Sequence, residues 1–183
     1  DCDPGHDDAV AIMLATAHND IEILGITCVA GNATLVNTKT NALKVCSLIT
    51  DTKIPIYSGA DKPLHYELIT AEHVHGKSGL DTDGQPLAIS KGYGIQEMHA
   101  VDFIIHTCHQ QAEPIYLCPV GPLTNIALAL QKDPSIKTKI KEIVFMGGAA
   151  MCLGNITPVA EFNIYVDPHA ANIVLNSGVK TVM

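Results

Sequence analysis

Short apolar runs alternate along this chain with stretches of helical period, and each run stops at a small or polar group. The runs lie at residues 22–29, 54–58, 115–120 and 141–146, and another begins at 179–183. Several are nearly continuous in apolar residues, as parallel strands covered on both faces are. Pro55 suggests an edge or a strand start for 54–58. Residues 7–18, 34–49, 97–110, 123–131 and 167–176 predict helices. In the second of these, Leu35, Ala42, Cys46 and Ile49 share a face; in the third, Val101, Ile104, Ile105 and Cys108 do. The apolar helix at 7–18 is expected to be buried on more than one side. Pro122 suits a first helical turn, Asp167-Pro168 reads as a cap, and Gly178 as a stop. The alternation predicts an α/β fold: a mostly parallel central sheet, right-handed crossovers, helices on both faces. No repeat or linker divides residues 1–183, so one domain is expected.

In such sheets ligands bind at the carboxyl ends of the strands. Residues 1–8, Ala30-Gly31-Asn32, Val120-Gly121-Pro122 and Met146-Gly147-Gly148 should therefore converge on one crevice. The longest break in the pattern, residues 59–96, holds six Gly and two Pro. A loop of that length in a compact domain is functional or mobile. Residues 72–82 within it are expected to act as a lid.

The first eight residues, DCDPGHDD, hold four carboxylates, Asp1, Asp3, Asp7 and Asp8. Pro4-Gly5 signals a turn, and an apolar helical run follows at once. Helix amides offset only one or two such charges. Either the group is an acidic loop in open water with an N-capping Asp, or it holds a cation. Hard oxygen donors select calcium or magnesium over zinc. An EF-hand does not fit, because Gly5 comes one place early and residue twelve is Ile12. Asp1-x-Asp3 is also similar to the nucleophile motif of dehalogenase-type phosphatases. Those place Thr or Val two residues after the second Asp, where this chain has Gly5.

The whole octet resembles the signature of the inosine-uridine-preferring nucleoside hydrolase family. A second segment, residues 154–163, resembles that family's ribose-binding stretch residue for residue. The resemblance implies a Rossmann-like nucleoside hydrolase fold and cleavage of the N-glycosidic bond of ribonucleosides. It assigns Ca²⁺ to Asp3, Asp8 and the backbone carbonyl of Val120, with Asp3 taking the proton from water. Asp1 would support the cluster, and Asp7 would bond a ribose hydroxyl. Asn155 and Glu161 would hold the 5′-hydroxyl and Asn163 the secondary hydroxyls, with Phe162 between them. Glu161 and Asn163 lie two apart, so an extended backbone would point both to one side. Asn32 is a turn residue by its context and a ribose contact by resemblance. Met146 reads equally as a core residue or as packing for the sugar. His73-x-His75 invites zinc but lacks partners at ligand spacing. His75-Gly76-x-x-Gly79-Leu80 instead resembles the family's loop beside the nucleoside. The remaining histidines at 18, 65, 99, 106, 109 and 169 read as solvated or structural.

A net charge of −8 argues against a nucleic-acid partner, which needs a basic face. No apolar run reaches membrane-spanning length. No signal peptide opens the chain, although it begins at Asp1 rather than Met, so a leader before it stays open. The six cysteines form no C-x-x-C pair and mostly lie in apolar runs. Small buried hydrophobes in a reducing, cytoplasmic setting are expected. Carboxylates around Cys2 should raise its pKa and make it a poor nucleophile. Both ends look cut: a strand is expected before Asp1, and one is just starting at the far end. By resemblance the leaving-group acid and a last metal carboxylate lie beyond residue 183, so this stretch alone is expected to be inactive. The rival readings are a truncated, inactive ribose- or nucleoside-binding module and a dehalogenase-type phosphatase. A small-molecule nucleoside substrate and a homodimer or tetramer are expected by resemblance.

Overall fold

The structure, a computed structural model, describes residues 1–49, 53–82, 84 and 86–183. Its elements in order are α1 (His6–Ala17), β1 (Ile26–Cys28), α2 (Leu35–Ile49), β2 (Ile56–Ser58), α3 (Glu72–His75) and α4 (Ala100–Gln110). Then come β3 (Ile115–Leu117), α5 (Thr124–Lys132), a 3-10 helix (Pro134–Lys139), β4 (Ile140–Val144), α6 (Phe162–Val166), α7 (Pro168–Leu175) and β5 (Thr181–Val182). Every strand pairing is parallel: β1 with β2, and β3 with β4 with β5.

Residues 1–3 join the two sets of strands. Cys2 bridges to Cys28 on one side, with the Cys2 N–H donating to the Thr27 carbonyl at 2.9 Å and the Val29 N–H to the Cys2 carbonyl at 3.0 Å. On the other side the Val120 N–H donates to the Asp1 carbonyl at 2.8 Å. The spatial order is therefore β2, β1, residues 1–3, β3, β4, β5. Below this junction, between β1 and β3, lies a mainly apolar cavity of about 620 Å³ reached by Ile26, Phe103, Ile115 and Leu117. The expected α/β architecture is present.

Two cores flank the sheet. One is built by α4, α5, α7 and β4 around Ile104, Ile126, Ile136, Ile143 and Val174. The other lies under the acidic turn and collects Cys2, Ile12, Cys28, Val45, Cys46 and Ile56. The expected caps form where Asp167 Oδ1 accepts from the Ala170 N–H at 2.9 Å and Pro168 opens α7.

Four local expectations change. The strand expected over 115–120 stops at Leu117, because Pro119 has no N–H and the residues beyond pair with Asp1 instead. Helix α1 buries Asp8, Ala9 and Ile12 but leaves Val10 and Leu14 exposed at 54% and 68%, so it is covered on one side. The extended backbone expected through Asn163 ends at Glu161, which is the N-cap of α6, and Asn163 lies in the first turn of that helix. The irregular stretch 59–96 contains α3 and a closed turn after it, with Asp83 and Gln85 outside the described residues. Of the cysteines, Cys2, Cys28, Cys46 and Cys108 are buried, while Cys118 and Cys152 are exposed.

Candidate active site

The acidic turn enters between two sheet halves and turns into α1 at Pro4-Gly5. Gly5, not an Asp, is the N-cap, and Asp8 reaches back so that its Oδ2 accepts from the Gly5 N–H at 3.4 Å. Asp3 is fully buried, and Asp8 is nearly so. Asp3 Oδ2 accepts from the Asn32 N–H at 2.6 Å. The Asn32 side-chain amide donates to the Asp3 carbonyl at 3.2 Å and to Asp8 Oδ2 at 3.5 Å. A Cβ on Gly31 or Gly121 would collide with the Asp3 carboxylate, so both loops must be glycine there to close on it.

Three of the four strand-end groups thus touch the Asp3 environment directly. The fourth is tied in by Asn163, whose Nδ2 donates to the Val120 carbonyl at 2.9 Å and to the Met146 carbonyl at 3.1 Å. The four strand-end groups therefore converge as expected, and a crevice for a ligand would lie among them. Met146 is not core; it stands 46% exposed, with its sulfur 3.3 Å from Asn163 Nδ2. Phe162 is buried and packs with Ala71 and Val166.

Glu161 is buried at the edge of the same crevice. Its Oε2 accepts from the Gly148 N–H at 2.9 Å, and both oxygens accept from the Asn163 N–H at 3.0 Å. Asn155 is exposed, and its Oδ1 accepts from the Phe162 N–H at 2.8 Å. Each of these side chains keeps lone pairs or an N–H₂ for a further partner.

His75 lies on the rim. Its Nε2 is 4.0 Å from Asp7 Oδ1, and its Nδ1 is 3.4 Å from His6 Nδ1. Burial lowers its pKa from the usual imidazole value, against the opposing pull of Asp7. Several hydrogen bonds tie the loop that carries it. Asp81 accepts from the Lys77 and Ser78 N–H groups, the Asn41 amide donates to the Ser78 carbonyl at 2.8 Å, and His6 Nε2 lies 2.8 Å from the Asp81 carbonyl.

The electrostatics of the turn are those of crowded anions. Burial, then the charge of Asp8, pushes the Asp3 carboxyl well above the usual carboxylate range, and the Asn32 N–H only partly offsets this. Burial, then Asp7, pushes Asp8 up to about 7. The Cys2 thiol is also raised, first by its hydrogen bond with Cys28 and then by burial; the Asp8 charge is a lesser cause. A neutral, buried thiol is a poor nucleophile, as expected.

Two carboxylate oxygens of the acidic turn, Asp1 Oδ2 and Asp3 Oδ1, are buried with no hydrogen-bond partner among the described residues; a third such oxygen, Glu142 Oε1, lies elsewhere and has Lys180 Nζ at 2.6 Å. Unpartnered anionic oxygens in a low-dielectric pocket are costly, and a hard cation is the group that satisfies them. Among the described residues no three His, Cys, Asp or Glu side chains form a metal ligand set by themselves. The donor set expected from the octet mixes two carboxylates with the Val120 carbonyl, and the orphaned oxygens fit an oxygen-seeking ion.

Two residues escaped the sequence reading. Thr27 Oγ1 and Asn125 Nδ2 both donate to Asp1 Oδ1, at 2.7 and 2.8 Å. Thr27 lies in an apolar strand and Asn125 inside a helix, and neither carries a spacing that marks it.

The family model for inosine-uridine preferring nucleoside hydrolases matches residues 1–183. The chain is 50% identical, over 183 residues, to a pyrimidine-specific ribonucleoside hydrolase of Escherichia coli. It is 52% identical over 185 residues to an uncharacterized protein of Schizosaccharomyces pombe. In both cases all of this chain is matched, and it spans 58% of the relative's length. Among solved structures, a purine-preferring ribonucleoside hydrolase from Gardnerella vaginalis superposes with a TM-score of 0.90 at 33% identity, over 98% of this chain and 57% of that one.

Proposed function

The chain belongs to the inosine-uridine preferring nucleoside hydrolase family, and from that premise we propose that its protein hydrolyses ribonucleosides to ribose and free base with the help of Ca²⁺. The observation that carries this reading is Asp3: a fully buried carboxylate with one oxygen held by Asn32 and the other unpartnered among the described residues. Hydrolysis of a glycosidic bond by direct displacement needs a base for water on the face opposite the leaving group. Asp3 is that base.

Asp3, Asp8 and the Val120 carbonyl would hold the cation. A bound dication lowers the pKa of its water and orients it. Asp3 would take the proton from water oriented in this way. Both pKa values fall together beside the ion, so the carboxylate returns to the ionised form that crowding disfavours in the bare turn.

The ribose lies across the crevice. Asp7 faces it from the acidic turn and Asn32 from the loop after β1, with Asn163 and Met146 opposite. Asn155, Glu161 and Phe162 close the end that takes the 5′-hydroxyl, and His75 approaches the base from the rim. The Asn163 amide touches the Val120 carbonyl, so sugar recognition and the cation site share one contact. Likeness to a relative named as pyrimidine-specific puts uridine and cytidine first in the substrate panel.

The test is release of free base from a panel of purine and pyrimidine nucleosides by the full-length protein, with and without a calcium chelator. Calcium-dependent release supports the hydrolase reading. Nucleoside binding without release would make the protein a binding module. Hydrolysis of phosphate esters with a phosphorylated Asp would make it a phosphatase.

A further inference from the structure

We propose that Asn125 is a positioning residue for the cation site, acting by setting which oxygen of Asp1 is left for the ion or its bound water. The inference rests on the calcium-dependent reading given above.

Asn125 lies in the first turn of α5 and is fully buried. Its carboxamide is bonded at both the nitrogen and the oxygen. Nδ2 donates to Asp1 Oδ1 at 2.8 Å and to the Cys28 carbonyl at 3.1 Å, and Oδ1 accepts from the Ala60 N–H at 2.9 Å. One side chain therefore ties together the start of the acidic turn, the carboxyl end of β1 and the loop after β2. A Cβ on Gly59 would collide with this carboxamide, so the loop leaves room for it by using glycine.

Holding the loops does not by itself explain the contact with Asp1. The ends of β1 and β2 are already joined by the Ala30 N–H, which donates to the Ala60 carbonyl at 2.9 Å. What Asn125 adds is a second neutral donor on the oxygen that Thr27 also holds. With both donors on Oδ1, the carboxylate cannot turn without losing them. Its Oδ2 is then the buried oxygen with no partner among the described residues, the same condition as Asp3 Oδ1. A half-buried carboxylate held at one oxygen, with the other buried and bare, is preorganised for a cation. Fixing it beforehand spares the ordering that binding would otherwise require.

The choice of amide also matters. An Asp at this position would keep the shape but set a second carboxylate against Asp1 and the Cys28 carbonyl. An Ala would remove the donor without adding charge. Neither change alters Asp3, Asp8 or Val120, the residues expected to hold the ion.

The experiment is calcium titration by calorimetry on the full-length protein, well below the melting temperature, for wild type, Asn125→Asp, Asn125→Ala and the core variant Ile136→Val. Ile136 is fully buried away from the acidic turn, so its change lowers Tm without reorienting Asp1. Both Asn125 variants should bind calcium at least tenfold more weakly than wild type, and Ile136→Val should match wild type. The calcium-induced rise in Tm gives the same comparison for a variant that folds poorly, and Asn125→Ala carries the test alone if Asn125→Asp does not fold. Wild-type calcium affinity in either Asn125 variant would overturn the inference. A wild-type protein that takes up no calcium would instead defeat the calcium reading, a result distinct from loss in the variants alone.

Discussion

Asp3 and Asp167 are the same residue type, both at 0% exposure, one just before α1 and the other between α6 and α7. Asp167 is fully served. Its Oδ1 accepts from the Ala170 N–H, and its Oδ2 accepts from the Leu64 N–H at 2.9 Å and Thr124 Oγ1 at 2.8 Å. Asp3 has one short bond at Oδ2, and at Oδ1 nothing among the described residues. Its other neighbours include a second buried carboxylate, Asp8. A folded chain satisfies a buried carboxylate when the carboxylate's purpose is to hold the fold. One left short, closed in by glycines at strand ends, is the acid proposed above to take a ligand. The contrast between the two aspartates is what that proposal rests on.

The largest effect should come from Asp3→Asn in the full-length protein. The amide keeps the shape and the Asn32 contact but accepts no proton, so turnover should fall by about 10³-fold or more, in the upper range for a lost general base. Without calcium the same variant should be as stable as wild type or more so, because a crowded charge has gone. Base release within a small factor of wild type would show that Asp3 is not the base.

Calcium itself comes next. At free calcium of about 100 times Kd, a ligand that binds only the folded state adds about 2.7 kcal/mol of stability. Wild type should therefore melt higher with calcium, and Asp3→Asn should not respond. Zinc should not substitute. Identical melting curves with calcium and after exhaustive chelation would remove the distinction drawn between the two aspartates.

Much of this contrast was legible in the residues. Strand runs ending in Asn32, Val120 and Gly147 marked where the crevice lies, and Asp167-Pro168 marked a cap, because backbone hydrogen-bond demand at helix and strand ends is local. The octet's crowding was legible for the same reason. What was not legible depends on neighbours far along the chain. The apolar run 9–15 does not say which of its faces will find a partner, and Val10 and Leu14 remain exposed. Glu161–Asn163 looked extended because α6 has five residues, too few to show a period. Asn125 reaches Asp1 across 124 positions, and no spacing rule announces that.

Asp167→Asn tests the satisfied side of the comparison. Three donors converge on its two oxygens, and an amide leaves at least one of them facing an N–H₂. The cost should be about 1–3 kcal/mol of stability, the range for an unsatisfied buried donor. Calcium affinity, measured well below the melting temperature, should stay at the wild-type value. Calcium binding weakened tenfold in this variant would mean that the two acids are not independent.

The last test is of pH, and its sign separates a crowded acid from a served one. Asp8 is raised to about 7 and Asp3 is raised too. For a group whose folded pKa lies above the unfolded value, the contribution to stability is complete below the unfolded pKa and fades as pH rises through the folded one. The calcium-free protein should thus gain stability as pH falls from 8 toward 5, by at most about 1.4 kcal/mol per pH unit per titrating group. Calcium affinity should fall over the same interval, since protons and the ion compete for the same oxygens. Asp133 provides the opposite limb at the surface. The Ser135 hydroxyl, then His109, lowers its carboxyl to about 2. Its contribution is present above the unfolded carboxylate pKa and is lost as pH falls through about 2. Asp133→Asn should then soften only the acid limb and leave the gain between pH 8 and 5 intact, whereas Asp8→Asn should flatten that gain. Denaturant titrations of the chelated protein at several pH values measure both. A stability that falls on acidification from 8 to 5 would show that Asp3 and Asp8 are not crowded as described.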